Sequence, residues 1–279
     1  EFDKLAPIVA EVPEKAKTLA EKYWPAPLTM ILPKSDLVPK ETTGGLDSVA
    51  VRFPSDKIAQ ELIKAAGGYV AAPSANTSGR PSPTKAEHVI EDMDGKIEMI
   101  IDGGAVGIGV ESTIVDVSGE IPTLLRPGAI TIEMLRETLG QVDIDPVILG
   151  PVSGDIKPKA PGMKYRHYAP KADMTLVEGD MDKVVAYINE QTKKAEAEGK
   201  KVGIICTEES QDMYQGGNLE VIGSREHEET VAHNLFAVLR DFDARKVDCI
   251  FSESFSKDQL GQAIMNRLLK AAGHKVAEV

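Results

Sequence analysis

Between Ala71 and Thr84 the chain reads Ala-Ala-Pro-Ser-Ala-Asn-Thr-Ser-Gly-Arg-Pro-Ser-Pro-Thr, which concentrates small hydroxyls, an amide, a glycine and an arginine. Such a loop offers hydroxyl donors, exposed main-chain N–H groups and one fixed cation, the groups that hold a triphosphate. Pro73, Pro81 and Pro83 stiffen it, so its donors are ordered before a ligand arrives. Taken alone, a stretch of this kind is an ordinary surface loop rich in turn formers. Three further segments give it company. Ser48–Phe53 alternates, so Ser48, Ala50 and Arg52 share one strand face and Val49, Val51 and Phe53 the other. Gly109–Asp116 puts Ser112 and Thr113 at the mouth of a second strand, and Leu124–Gly128 ends a third in Arg126 and a turn. A single strand arginine is usually solvated or salt-bridged. Two arginines and several serines at strand ends in one domain suggest convergence on an anion.

The elements that position these groups follow from punctuation. The apolar run Tyr69–Ala72 reads as a buried strand feeding the loop, and Thr84 reads as the cap of a helix, with Glu87 completing a capping box. Helices are expected from Pro13 to Tyr23, after Ser55 to Gly67-Gly68, and after Thr131 to Gly140. In the second of these, Ile58, Ala59, Leu62, Ile63 and Ala66 form one apolar face; in the third, Met134, Leu135 and Leu139 turn inward. Irregular strand spacing favours an α+β domain around a twisted mixed sheet from residue 1 to about 150.

Residues 151–171 form a linker by composition, holding Pro151, Pro158, Pro161 and Pro170. Tyr165, Arg166, His167 and Tyr168 within it could pack at an interface or cover a nucleotide by stacking and charge. From 172 to 279 strands and helices alternate: strands at Met174–Val177, Lys201–Cys206, Leu219–Ile222 and Val247–Phe251, helices at Met181–Ala197, Glu226–Ala244 and Gln259–Ala272. That order predicts a smaller, Rossmann-like parallel α/β domain. No Gly-x-Gly-x-x-Gly follows its first strand, where Val177-Glu178-Gly179-Asp180 stands, so no dinucleotide site is read there.

Composition narrows the classes. A net charge of -12 and an isoelectric point near 5.0 argue against a general nucleic-acid surface, which needs clustered Lys and Arg. No run of eighteen apolar residues exists, so no membrane span is expected. Cys206 and Cys249 lie in apolar runs and read as reduced core thiols of a cytoplasmic protein. The histidines form no ligand-spaced pair with a cysteine or carboxylate, which argues against structural zinc.

Several longer strings occur together and in order: KYWPAPLTMILPKS, TTGGLDSVAVRFP, AAPSANTSGRPSPT, DGG…GVESTIVD and LLRPGAI, followed by APGMKYRHYAP at Ala160–Pro170. In order and spacing they resemble the YrdC/Sua5 family, and the last string resembles the linker of its two-domain Sua5 members. The resemblance is strong from Tyr23 to Pro170 and limited to a strand–helix pattern beyond. It implies an L-threonylcarbamoyladenylate synthase, a nucleotidyltransferase that uses L-threonine, bicarbonate or CO2, and ATP. Its product, threonylcarbamoyl-AMP, would serve N6-threonylcarbamoyl modification of adenosine 37 in tRNA through a downstream threonylcarbamoyl transferase.

By the same resemblance, Ser48, Ser74, Asn76, Ser82, Arg126 and Tyr168 contact ATP. Arg52, the Ala72 main chain and Ser112 contact L-threonine, and Tyr165, Arg166 and His167 belong to a linker lid. No side chain acts as nucleophile or general base, and Mg2+ rides on the ATP phosphates rather than on protein ligands. Direct tRNA binding and membrane attachment are not expected. The family's catalytic domain begins with a Thr-x-Tyr-Gly turn and a Lys-x-Arg motif, and neither stands at the start of this chain, which opens at Glu1. The resemblance therefore implies a first domain short of a strand and some phosphate ligands. Two alternatives stay open: a non-catalytic nucleotide- or RNA-binding module of this fold, and a carbamoyltransferase of the hydrogenase-maturation type. The latter family adds Cys-rich zinc motifs and an acylphosphatase module, which this chain lacks.

Overall fold

The computed structural model describes residues 2–149 and 167–279. In chain order the elements are α1 (Glu14–Tyr23), β1 (Leu28–Pro33), β2 (Ser48–Arg52), α2 (Lys57–Ala65), α3 (Ala86–Met93), β3 (Thr113–Asp116), β4 (Thr123–Arg126), α4 (Ile132–Leu139), β5 (Asp143–Ile144), the single turn α5 (Pro146–Leu149), β6 (Asp173–Glu178), α6 (Met181–Ala197), β7 (Val202–Cys206), β8 (Asn218–Val221), α7 (Glu228–Arg245), β9 (Cys249–Glu253), α8 (Gln259–Ala271) and β10 (Val276–Glu278). They form two compact units, residues 2–73 with 111–149, and residues 74–110 with 167–279. The sequence-based boundary near Gly150 assigns residues 74–110 to the first domain. In the fold that segment groups with the second unit, because α7 hydrogen-bonds to it.

The first unit is built on a mixed sheet in the order β2-β1-β3-β4-β5. β1 lies antiparallel to β2 and parallel to β3, and β3 lies antiparallel to β4. Leu28, Met30 and Leu32 of β1 point into a core with Leu19 of α1, Val115 of β3, Leu124 of β4 and Leu135 of α4. Thr131 caps α4 by accepting from the Met134 N–H, and Gly140 ends it at φ +80°. This is the expected mixed α+β layer.

The second unit carries five strands, all parallel, in the order β10-β6-β9-β7-β8. Both faces are covered, so β7 is buried along its whole length, as parallel strands between helices usually are. Leu235, Phe236 and Phe242 of α7 and Ile264 and Leu268 of α8 pack with Met174, Leu176 and Ile250. Val184, Val185 and Ile188 of α6 pack with Val177, Val202 and Ile204. The helix over Met181–Ala197 has the bounds read from the sequence, with the Asp180 side chain as its cap. At the carboxyl end of β9 the fully buried Glu253 accepts from Tyr214 at 2.8 Å and Thr207 at 3.3 Å, and also pairs with Ser210 and Arg225. Burial and the Glu253 charge push the Cys206 thiol up to about 12, so it is no nucleophile at neutral pH.

Two local expectations are corrected. Tyr69–Ala72 is exposed and lies outside any strand; among the described residues it has no strand partner, so its backbone joins no ladder, and the Tyr69 hydroxyl donates to the Lys4 carbonyl at 2.7 Å. On the apolar face of α2, Ile58 is 46% and Leu62 49% exposed. The helix after Thr84 starts at Ala86 without a side-chain cap, because the Thr84 N–H donates to His88 Nδ1 at 3.1 Å. Among the described residues no helix is long and apolar enough to cross a membrane.

Candidate functional site

The polar groups of the first unit line up because strand register fixes which side chains are neighbours. Arg52 of β2 lies opposite Thr29 of β1, Thr29 opposite Ile114 of β3, and Ile114 opposite Arg126 of β4. Opposed residues share a face, so Arg52, Thr29 and Arg126 lie in one transverse row. Ser48 shares the Arg52 face of β2, while Val49 and Val51 pack into the core on the other side. This is the alternation expected from sequence.

Ser112, just ahead of β3, ties the row together. Its hydroxyl lies 2.8 Å from that of Thr29. Arg126 donates Nε to the Ser112 carbonyl at 2.9 Å and Nη2 to the Ser112 hydroxyl at 3.1 Å. Ser112 is 6% and Arg126 9% exposed, so the guanidinium is held in a fixed plane at a largely dry place. Behind it the chain turns tightly. A Cβ on Gly128 would sit 2.6 Å from the Thr113 nitrogen and 2.8 Å from the Glu111 carbonyl oxygen, so only glycine lets the turn approach β3. The Thr113 hydroxyl donates to the Ile130 carbonyl at 2.7 Å and closes that turn. Arg52 is exposed, and Ala72 lies in an exposed stretch of the same unit.

In the second unit, Ser74 is exposed, Ser82 half-buried and Asn76 9% exposed. The Asn76 amide donates to the carbonyls of Thr77 and Arg80, at 3.0 and 3.4 Å, and its Oδ1 has no partner among the described residues. The loop returns through Gly109 at φ +83°, where a Cβ would lie 2.3 Å from the Ala232 carbonyl oxygen of α7. His88 is buried and held below its ordinary pKa, first by burial and then by Arg240 and Lys85, so it is neutral and accepts from Thr84.

Tyr168, expected to contact the nucleotide, is buried beside α7. It is 2% exposed and packs 5.1 Å from the Phe236 ring, with the His167 ring edge-on at 4.1 Å. Tyr165 and Arg166, and with them most of the expected linker lid, lie outside the described residues. Thr29 was missed by sequence reading; the signal for it was a lone hydroxyl within the apolar run Leu28–Leu32. Among the described residues no three His, Cys, Asp or Glu side chains gather as a metal site.

A mixed-sheet unit followed by an all-parallel α/β unit is an architecture with solved relatives. Pyrococcus abyssi Sua5 complexed with L-threonine superposes with a TM-score of 0.93 at 47% identity, covering 100% of this chain and 80% of that one. A doubly substituted variant of the same protein gives a TM-score of 0.93 at 46% identity, with 100% and 78% covered. The threonylcarbamoyl-AMP synthase of Pyrococcus abyssi is 48% identical over 278 residues, 100% of this chain and 79% of that protein. Its counterpart from Bacillus subtilis is 46% identical over 277 residues, 99% and 78% of the two chains. The profile described as "Threonylcarbamoyl-AMP synthase, C-terminal domain" matches residues 130–273, and the one described as "Telomere recombination" matches residues 1–128. The chain belongs to the Sua5 family of threonylcarbamoyl-AMP synthases.

Proposed function

We propose that this chain makes L-threonylcarbamoyl-AMP from L-threonine, bicarbonate or CO2, and ATP, with release of pyrophosphate, as a nucleotidyltransferase serving tRNA threonylcarbamoylation. The observation that carries this reading is identity near one half over essentially the whole chain to two threonylcarbamoyl-AMP synthases. The threonine complex of the similar Sua5 protein supports threonine as substrate. The product would pass to a threonylcarbamoyl transferase acting on tRNA.

The chemistry asks for alignment and charge neutralisation more than for a nucleophilic side chain. The threonine amine adds to CO2 to give a carbamate, and a carbamate oxygen attacks the α-phosphorus of ATP. The bond to the β-phosphate oxygen breaks, and pyrophosphate leaves. Arg52 would grip the amino-acid carboxylate bidentately, with the Ala72 main chain and the Ser112 hydroxyl as further contacts. Ser48, Ser74, Asn76, Ser82 and the oriented guanidinium of Arg126 would take the nucleotide and its phosphates. Magnesium would be held by phosphate oxygens and water and would neutralise part of their charge.

Pyrophosphate release should require ATP, threonine and bicarbonate together, with threonylcarbamoyl-AMP identified by mass spectrometry. ATP binding without threonine-dependent pyrophosphate release would leave a nucleotide-binding module instead.

A further inference from the structure

The loop that carries Asn76 and Ser82 is fastened to α7 by a network of five charged side chains, Arg80, Glu91, Asp92, Arg240 and Asp243. Arg240 of α7 is 3% exposed and donates Nε and Nη2 to one acceptor, the Pro81 carbonyl, at 3.1 and 2.7 Å. Its Nη2 also reaches Asp92 Oδ2 at 2.8 Å. That same oxygen accepts the Thr77 N–H at 3.1 Å, while Asp92 Oδ1 pairs with Arg80. Arg80 extends the network to Glu91 at 2.9 Å and to Asp243 of α7 at 3.6 Å. Asp243 in turn accepts the Lys171 N–H at 2.7 Å, and the Ala169 N–H donates to the Gly79 carbonyl at 2.9 Å.

The clamped backbone groups flank the chemistry. Pro81 immediately precedes Ser82, and Thr77 immediately follows Asn76. Burying charges to glue a loop to a helix is costly, and an apolar contact would attach it at least as firmly. What a guanidinium fork adds is a fixed angle and register for the carbonyl it grips. We propose that Arg240, acting through Pro81 and Asp92, is the positioning residue of the nucleotide loop, so that the parallel α/β unit serves as its mount. This rests on the reading of Asn76 and Ser82 as ATP contacts.

The test uses Arg240→Gln and Asp92→Asn in the full chain, read by hydrogen exchange and by steady-state pyrophosphate release. Exchange in peptides spanning residues 77–82 should accelerate at least tenfold while β7 and β9 stay protected. KM for ATP should rise about tenfold, with KM for threonine moving less than twofold. If Arg240→Gln does not fold, Arg240→Lys keeps the charge, loses the fork, and should give the same KM split at a near-normal melting temperature. Unchanged loop exchange, equal loss of protection in loop and sheet, or a lower kcat with both KM values unmoved would overturn the positioning role. A wild-type chain that releases no pyrophosphate would refute the function, and the exchange comparison would still decide the clamp.

Discussion

Arg52 and Arg126 stand at opposite ends of one transverse row across β2, β1, β3 and β4, each linked to the next strand by direct register. Three strand spacings separate their backbones by about 14 Å, a gap that two long side chains can close around an anion. Between them the Thr29 and Ser112 hydroxyls meet at 2.8 Å, and Ser112 fixes the plane of Arg126. The row therefore joins the proposed threonine end to the proposed phosphate end.

Arg52→Lys keeps the charge and loses the planar fork. Threonine binding should weaken by about 1.5–3 kcal/mol while ATP binding changes little. Calorimetry with each substrate separately checks this, and unchanged threonine affinity would remove Arg52 from the site.

Thr29→Val keeps the shape and deletes the hydroxyl that faces Ser112. The loss should cost about 1 kcal/mol of stability, because a buried partner loses one bond. KM for threonine should rise severalfold through the freed Ser112 rotor. Denaturation midpoints and kinetics read the two effects, and a stability loss with unmoved KM would make the pair purely structural.

Much of this arrangement was legible in the sequence where pattern and position agreed. Alternation placed Ser48 and Arg52 on one face, Thr131 and Gly140 bracketed α4, and strand–helix alternation gave the parallel sheet of the second unit. What was not legible depended on partners distant in sequence. The apolar run Tyr69–Ala72 has strand composition but no neighbouring strand among the described residues, and periodicity cannot report a missing ladder. Thr84 has cap chemistry, yet the ring of His88 takes its N–H. Tyr168 packs against Phe236, 68 positions away, a partner that no local pattern reports. The short strand β10 escaped notice because three residues carry too little pattern.

Gly128→Ala places a methyl group within 3 Å of the backbone of Thr113, at the start of β3, and of Glu111 just ahead of it, neither of which can yield as a side chain would. The substitution should destabilise the protein by about 2–3 kcal/mol and lower activity by displacing Arg126. Chemical denaturation and pyrophosphate release measure both, and a neutral variant would show that the turn relaxes without effect on the site.

His88 ties pH to the loop. Its pKa is depressed by burial and by Arg240 and Lys85, against the opposing charges of Asp241 and Glu87. The unfolded chain then takes up the proton first, so the stability tied to neutral His88 is fully present above about pH 6.5 and is lost as pH falls through the folded-state value. Protonation also turns the Nδ1 acceptor into a donor facing the Thr84 N–H. Melting temperature against pH should fall on the acid side of 6.5 in the wild type and stay flatter in His88→Gln. Parallel curves would assign the acid limb elsewhere.

The grip of Arg240 on Pro81 spans 159 residues of chain. During synthesis at about 5–20 residues per second, Pro81 leaves the ribosome roughly 8–30 s before the arginine that holds it. The loop proposed to hold the nucleotide thus emerges unclamped, and on that proposal competence for substrate would wait for the helix that follows it by 159 residues.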